Sequence, residues 1–342
     1  MSNNPTIRND KDGSQFPQIG EDTILRAALR AGHGMSYECN SGGCGGCKFE
    51  LVSGEIETLW PEAPGLSARD HQRGRHLACQ CRARGEVVIK AASAAEYVPP
   101  IRPRRQRAQL VGSRNISHDI REFRFLSEDS ANFLPGQYAM LDLPGVDSPR
   151  AYSMANTGNA EGEWHFQVRR VTHGKGTHCL FDRLADGDQI GLDGPYGVAY
   201  LRPDSPRPIV CVAGGSGLAP MLSIVRGAAE AGLLKTRPLY FFYGARTPRD
   251  VCGGEMLSGL PGFGDNLLFV PVVSLPEESI NSDGWQGATG YVHDHVAATL
   301  PLPLGSYEFY FAGPPPMTQA LQELLMVGHK VPFEQIHFDR FF

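Results

Sequence analysis

The sequence predicts a multidomain chain with three blocks: a small cysteine-rich α+β block, an antiparallel β-rich block and an α/β block with a parallel sheet. Three observations predict it. Five of the eight cysteines lie between residues 39 and 81. Short alternating segments punctuated by Gly, Pro and Asp fill the middle, and from about residue 206 apolar strands alternate with helices. A chain of 342 residues is also too long for one hydrophobic core.

Residues 1–95 make the first block. In "EDTILRAALRAG" Asp22 and Thr23 are N-cap candidates, Ile24, Leu25, Ala28 and Leu29 share one helical face, and Gly32 ends the helix. "KFELVSGEIE" reads as a hairpin turning at Ser53-Gly54, and "GEVVIKA" as a short strand. Residues 96–107, within "AAEYVPPIRPRRQR", lack periodicity and read as a linker. Residues 108–205 carry "REFRFLS", "GQYAMLDLP", "RAYSMAN", "EWHFQVRRV" and "GDQIGLDG", the pattern of an antiparallel barrel or sandwich, interrupted by one helix candidate, "GTHCLFDRL". In residues 206–342 the strands "RPIVCVAGG", "RPLYFFYGAR", "LLFVPVVS", "YEFYFAGP" and "QIHFDRF" alternate with helical stretches, which implies a parallel sheet covered on both faces.

Composition excludes some functions. A net charge of -5 argues against a general nucleic-acid binder. The arginines of "IRPRRQR" read as a solvated linker, with a docking patch for an acidic partner as the alternative. The longest apolar stretch, "PIVCVAGGSGLAPMLSIV", is broken by glycines and a proline and is a poor membrane span. With no secretory signal at the N-terminus, the chain reads as cytoplasmic, where clustered cysteines point to a metal site or redox chemistry.

Cys39, Cys44 and Cys47 stand in C-x4-C-x2-C, the spacing of plant-type 2Fe–2S ligation, which a distant fourth cysteine completes. The glycines between them allow positive φ angles and close approach of N–H groups to sulfur. Zinc held by Cys44, Cys47, Cys79 and Cys81 is the alternative, but it leaves Cys39 unexplained. In "PRAYSMAN" the cation of Arg150 suits a flavin phosphate, the plane of Tyr152 a flavin ring, and the hydroxyl of Ser153 its N5 atom. Gly174, Gly176 and Thr177 open a helix whose N–H groups suit a pyrophosphate, or form a plain capping turn. "VAGGSGLAP" follows the first strand of the parallel sheet, as a dinucleotide loop does. "YGAR" and "FAGPPPM" end two further strands at the same carboxyl edge.

Taken in order, C-x4-C-x2-C, "RAYS", "GGSGLAP", "YGAR", "GPPPM" and "HFDRFF" resemble the ferredoxin–NADH reductase components of bacterial aromatic oxygenases, within the ferredoxin–NADP reductase superfamily. "ECNSGGCGGCKFEL", "LWPEAPGLSAR", "LACQC" and "LLMVGHKVPFEQIHFDRFF" are most similar, within that group, to the reductases of toluene monooxygenases. The resemblance implies a ferredoxin-like (β-grasp) 2Fe–2S domain, an antiparallel β-barrel FAD domain and an α/β NAD domain. It implies FAD, a 2Fe–2S cluster and NADH as cofactors. Electrons then pass from NADH through FAD and the cluster to a Rieske-type ferredoxin or oxygenase component, with a Rieske-type dioxygenase system as the alternative.

By position, the resemblance makes Cys79 the fourth ligand beside Cys39, Cys44 and Cys47, with Cys81 a bystander. It places Arg150 at the flavin phosphates, Tyr152 beside the isoalloxazine and Ser153 near N5. Gly174, Lys175, Gly176 and Thr177 hold the pyrophosphate of FAD. Gly214, Gly215, Ser216 and Gly217 line the NADH pyrophosphate and nicotinamide, with Gly313 and Pro314 at the same edge and Arg246 near the adenosine half. Phe341 and Phe342 lie by the flavin. Many members of the group have Cys where this chain has Ala312.

Overall fold

The computed structural model describes residues 4–276 and 285–341. In the first block Thr6–Asn9 pairs antiparallel with Gln15–Pro17 and parallel with Val87–Ala91, and Lys48–Ser53 and Arg75–Leu77 complete a five-stranded mixed sheet. Helix Ile24–Ala31 packs on it, as a β-grasp requires. Its N-cap is Thr23, whose hydroxyl accepts the Arg26 N–H, and it ends at Gly32 in the left-handed region (φ 90°). Ile24, Leu25, Ala28 and Leu29 are all fully buried.

The hairpin expected from "KFELVSGEIE" does not form. The chain turns at Gly54 (φ 93°), but Ile56–Thr58 leaves the sheet and pairs with Cys81–Ala83 in a separate two-stranded ribbon. The turn was local information; the partner strand was not.

The middle block is a six-stranded antiparallel sheet in the order Arg150–Ser153, Tyr138–Asp142, Gln189–Tyr196, Arg104–Asn115, Ile120–Ser127, Glu163–Arg169. A bridge between Met154 and Phe166 joins its two ends into a barrel. Phe123, Phe125, Trp164 and Phe166 fill the interior. The longest strand, Arg104–Asn115, begins inside the stretch read as linker. Its apolar alternation covers only Ala108 and Leu110 before a register shift between Leu110 and Gly112.

The third block is a parallel sheet ordered Ala288–Thr289, Leu267–Val273, Leu239–Ala245, Ile209–Gly214, Glu308–Gly313, Ile336–Arg340. Its central strands are buried along their whole length, which is why they read as continuous apolar runs. Strand order reverses between Ile209–Gly214 and Glu308–Gly313, and ligands of such sheets bind at the crevice this reversal opens.

The blocks pack on one another. Tyr138, Met140 and Tyr196 of the barrel belong to the same apolar core as the cysteine-rich block. Beside that core, Arg30 contacts Asp22 (2.9 Å) and the barrel's Asp193 (3.0 Å), and Arg105 reaches Asp22 at 2.5 Å. At least this arginine of "IRPRRQR" therefore serves an internal ion pair. On the other side, Ser223 donates to the Asn156 carbonyl (2.6 Å) and accepts from the Gly136 N–H (3.2 Å), tying the first long helix of the parallel-sheet block to the barrel. No helix among the described residues is long and apolar enough to cross a membrane.

Candidate functional site

Loop 39–47 places three thiols at the top of the β-grasp sheet. Asn40, Gly42 and Gly45 take positive φ angles (51°, 93° and 73°), which curls the backbone around the sulfurs. The N–H groups of Ser41 and Cys44 donate to Cys39 Sγ at 3.5 and 3.3 Å, and those of Cys39 and Gly46 to Cys44 Sγ at 3.5 and 3.3 Å. Cys79 sits in the turn Ala78–Gln80, held to the loop by the Ala78 N–H on the Cys47 carbonyl (2.9 Å).

The thiols fall into two facing pairs, Cys39 with Cys44 and Cys47 with Cys79. The Cys44 thiol and the surrounding N–H donors pull Cys39 below its ordinary range, toward the thiolate form that ligates metal. Cys81 belongs to neither pair. It is fully buried, its sulfur lies 3.8 Å from the Thr58 hydroxyl, and burial pushes its thiol up to about 12.

Two pairs of thiolates suit two irons better than one zinc. Tetrahedral zinc with Zn–S bonds of about 2.3 Å brings its sulfurs to about 3.8 Å from one another. Among the described residues, no three cysteine sulfurs lie within 4.8 Å of one another. The donor set therefore fits a 2Fe–2S cluster.

Cys39 also lines a cleft of about 730 Å³ where the three blocks meet. Its walls hold Arg150, Tyr152 and Ser153 from the barrel, Gly174, Lys175, Gly176 and Thr177 from the following helix start, and Gly214, Gly215, Ser216 and Pro314 from the parallel sheet. Phe341 lines it as well; Phe342 lies outside the described residues. Ser153 is 8% exposed, and among the described residues its hydroxyl has no protein partner. Tyr152 is held protonated by burial, which pushes its phenol up to about 12. A Cβ on Gly176 would stand 3.0 Å from the Tyr152 hydroxyl and 3.2 Å from Arg150, so the absent side chain leaves room beside both. Lys175 is paired with Asp147 at 2.7 Å, and Arg150 donates to the carbonyl of Ser148 at 2.7 Å. A pocketed hydroxyl, a phenol and a helix start in one cleft fit a flavin dinucleotide.

A second, smaller cleft of about 210 Å³ continues from the first across Gly214, Gly215 and Pro314. Arg246 lines this one, with Asp250, Ser274 and Tyr291. Gly217 and Gly313 line neither cleft. A Cβ on Gly217 would meet the Ala312 carbonyl at 2.0 Å, and one on Gly313 would meet Met317 at 2.8 Å, so both glycines let backbone pack against its neighbours. Ala312 is fully buried.

Two wall residues, Arg169 and Gln167, have no motif of their own in the sequence. Arg169 lines both clefts and is paired with Asp119 at 2.6 Å. Gln167 is 3% exposed, and its Oε1 has no partner among the described residues. Glu38, Asp339 and Arg340 complete the wall beside the cluster loop.

Three family models match in the order of the blocks: a 2Fe-2S iron-sulfur cluster binding domain over residues 7–84, an oxidoreductase FAD-binding domain over 107–200 and an oxidoreductase NAD-binding domain over 211–323. Across 325 residues the chain is 43% identical to the ferredoxin–NAD(P)(+) reductase CarAd of Metapseudomonas resinovorans, covering 94% of each chain. It belongs to the ferredoxin–NAD(P) reductase components of oxygenase systems. The reductase is 41% identical to the ferredoxin–NAD(+) reductase component of the alkene monooxygenase system of Xanthobacter autotrophicus, over 96% of this chain and 98% of that one. It is 34% identical to the xylene/toluene monooxygenase electron transfer component XylA of Pseudomonas putida, over 96% and 91%. Its fold matches the ferredoxin reductase in carbazole 1,9a-dioxygenase with a TM-score of 0.88 and 38% identity, over 99% and 98% of the two chains. The reductase is thus an oxidoreductase with FAD-, NAD- and 2Fe–2S-binding domains, an assignment the sequence motifs had implied.

Proposed function

We propose that this reductase takes electrons from NADH and delivers them singly to a Rieske-type ferredoxin of an aromatic monooxygenase. One observation carries the reading: a single cleft has Cys39 on one wall, the Arg150–Ser153 strand on another and Gly214–Ser216 on a third. The relatives at 43% and 41% identity, a ferredoxin–NAD(P)(+) reductase and a ferredoxin–NAD(+) reductase component, support a ferredoxin acceptor, and XylA supports an aromatic monooxygenase system.

When bound, the flavin accepts electron pairs as hydride and releases them one at a time, which is what a 2Fe–2S cluster requires. The protein's part is placement. Arg150 presents its guanidinium to the flavin phosphates, and the N–H groups of Lys175, Gly176 and Thr177, which open a helix, receive the pyrophosphate. Tyr152, which keeps its proton, would pack against the ring. Ser153 would offer its hydroxyl to N5. Gly214, Gly215 and Ser216 admit the nicotinamide half of NADH beside the flavin, while Arg246 in the smaller cleft meets the adenosine half. Cys39, Cys44, Cys47 and Cys79 hold the cluster.

Ser153→Ala is expected to slow flavin bleaching by NADH about 10²-fold in single-turnover mixing, because a donor placed at the reacting atom is worth that much. The visible absorption of the cluster stays unchanged. Bleaching at the wild-type rate removes Ser153 from N5. The acceptor reading is tested with the purified holoprotein, NADH or NADPH, and a purified Rieske-type ferredoxin. Ferredoxin reduction faster with NADH is the expected result. A flavin that bleaches with NADH while the ferredoxin stays oxidised overturns the acceptor, and a preference for NADPH overturns the donor.

A further inference from the structure

Glu38, immediately before Cys39, is held by both of the other blocks. Arg340, the last residue of strand Ile336–Arg340 in the parallel sheet, grips its carboxylate with two prongs: Nε to Oε1 at 2.9 Å and Nη2 to Oε2 at 2.5 Å. The Arg340 backbone N–H adds a third contact to Oε1 at 3.3 Å. From the barrel, the Tyr138 hydroxyl donates to the Glu38 carbonyl at 2.7 Å. One residue earlier, the Tyr37 hydroxyl accepts the N–H of Gly197 at 2.8 Å. The side chains of Glu38 and Arg340 are only 16% and 32% exposed, so this bidentate pair is geometrically fixed in a way that an exposed ion pair is not.

Glu38, Cys39 and Arg340 all line the large cleft, and Arg340 lies between Asp339 and Phe341, which line it too. The pair therefore joins the wall expected to carry the cluster to the wall expected to flank the flavin. A separate network, Asp22–Arg30–Asp193, fastens the same block to the barrel through the start and end of helix Ile24–Ala31. Loss of the Glu38–Arg340 pair alone leaves that outer attachment in place.

We propose that Arg340 is a positioning residue for electron transfer from flavin to cluster, acting by clamping Glu38 so that the Cys39 loop is held at a fixed distance from the flavin. The inference rests on the reading of this cleft as the flavin site and of Cys39 as a cluster ligand. The step it governs is a transfer of one electron. NADH supplies two electrons as hydride to the flavin; one of them passes to the oxidised cluster and the flavin keeps the other. Transfer between two centres falls steeply with their separation, so a loosened loop slows this step. Hydride delivery is the earlier step, assigned to Gly214–Ser216, and flavin bleaching reports it separately.

The test uses holoprotein with its FAD and iron content measured, carrying Arg340→Gln, Glu38→Gln, or the charge exchange Glu38→Arg with Arg340→Glu. In anaerobic rapid mixing with NADH, cluster reduction is expected to slow more than flavin bleaching in both single variants. Cluster reduction, followed by its visible absorption and by the paramagnetic signal of the reduced cluster, slows about tenfold. Amide hydrogen exchange over residues 37–47 accelerates, while exchange in helix Ile24–Ala31 does not. The charge exchange recovers part of both losses. The proposal is overturned if cluster reduction keeps its wild-type rate, if flavin bleaching slows as much as cluster reduction, or if loop exchange is unchanged. Should Arg340→Gln lose its flavin, Glu38→Gln cuts the same pair from the other side and decides the matter. A wild-type protein whose flavin does not bleach with NADH or NADPH defeats the underlying reading instead.

Discussion

Cys79→Ser is expected to abolish the visible absorption of the cluster, and Cys81→Ser to leave it intact. The two residues are separated by one position, yet their surroundings differ. Cys79 faces Cys47 and receives the Gln80 side-chain amide at 3.7 Å, so its sulfur sits beside the loop's thiols. Cys81 has turned into the ribbon with Ile56–Thr58, where its thiol is buried against Thr58 and held protonated. A serine at position 81 keeps a hydroxyl beside the Thr58 hydroxyl and loses little. At position 79 it removes one of four thiolates from a two-pair site.

The functional split should be equally sharp. In Cys79→Ser the barrel and parallel sheet retain their own cores, so flavin content and NADH-driven reduction of ferricyanide persist. Reduction of an iron–sulfur protein falls to background, because single electrons have lost their exit. Iron content, the visible spectrum and both assays on the two variants check this. A Cys81→Ser protein without a cluster, beside a Cys79→Ser protein that keeps one, reverses the assignment.

The parts of this structure that sequence could reveal are those governed by local periodicity. Strands such as Ile209–Gly214 and helices such as Leu218–Glu230 announce themselves because burial on two faces or one writes itself into neighbouring residues. Arg104–Asn115 does not, since four of its first five positions are Arg or Gln and a bulge interrupts the alternation after Leu110. Ile56–Thr58 reads as the hairpin partner of Lys48–Ser53, whereas its pairing with Cys81–Ala83 depends on a contact 25 residues away.

The site divides in the same way. Cys39, Cys44 and Cys47 carry their chemistry in their spacing, and Arg150, Tyr152 and Ser153 alternate along one strand. Gln167 reads as an ordinary polar residue on a barrel strand until the parallel sheet closes over it: its side chain lies 3.4 Å from the sulfur of Met256. Glu38 reads as a flanking charge until Arg340 arrives from the far end of the chain. Gly217 reads as a phosphate-loop glycine, yet the residues of its motif serve two different ends. Gly214 and Gly215 open the cleft, while Gly217 lets the helix start approach the neighbouring strand.

That distinction makes Gly217→Ala the more severe of the glycine substitutions. The added methyl carbon would lie 2.0 Å from the Ala312 oxygen and 2.5 Å from its carbonyl carbon. Both are backbone atoms of the fully buried strand Glu308–Gly313, paired to Ile209–Gly214 on one side and Ile336–Arg340 on the other, so they have nowhere to go. The helix Leu218–Glu230 has to shift instead, at a cost of about 1–3 kcal/mol typical of overpacking a core. Its start carries Gly214, Gly215 and Ser216 away from the cleft, and a displacement of about 1 Å at a reacting site lowers rate by up to about 10²-fold. The expected variant therefore unfolds its parallel-sheet block at lower urea, bleaches its flavin slowly with NADH, and still shows the cluster spectrum, because Cys39, Cys44, Cys47 and Cys79 all belong to the first block. Gly217→Ala with wild-type stability and wild-type flavin bleaching would show that the helix start and strand are not in such close contact.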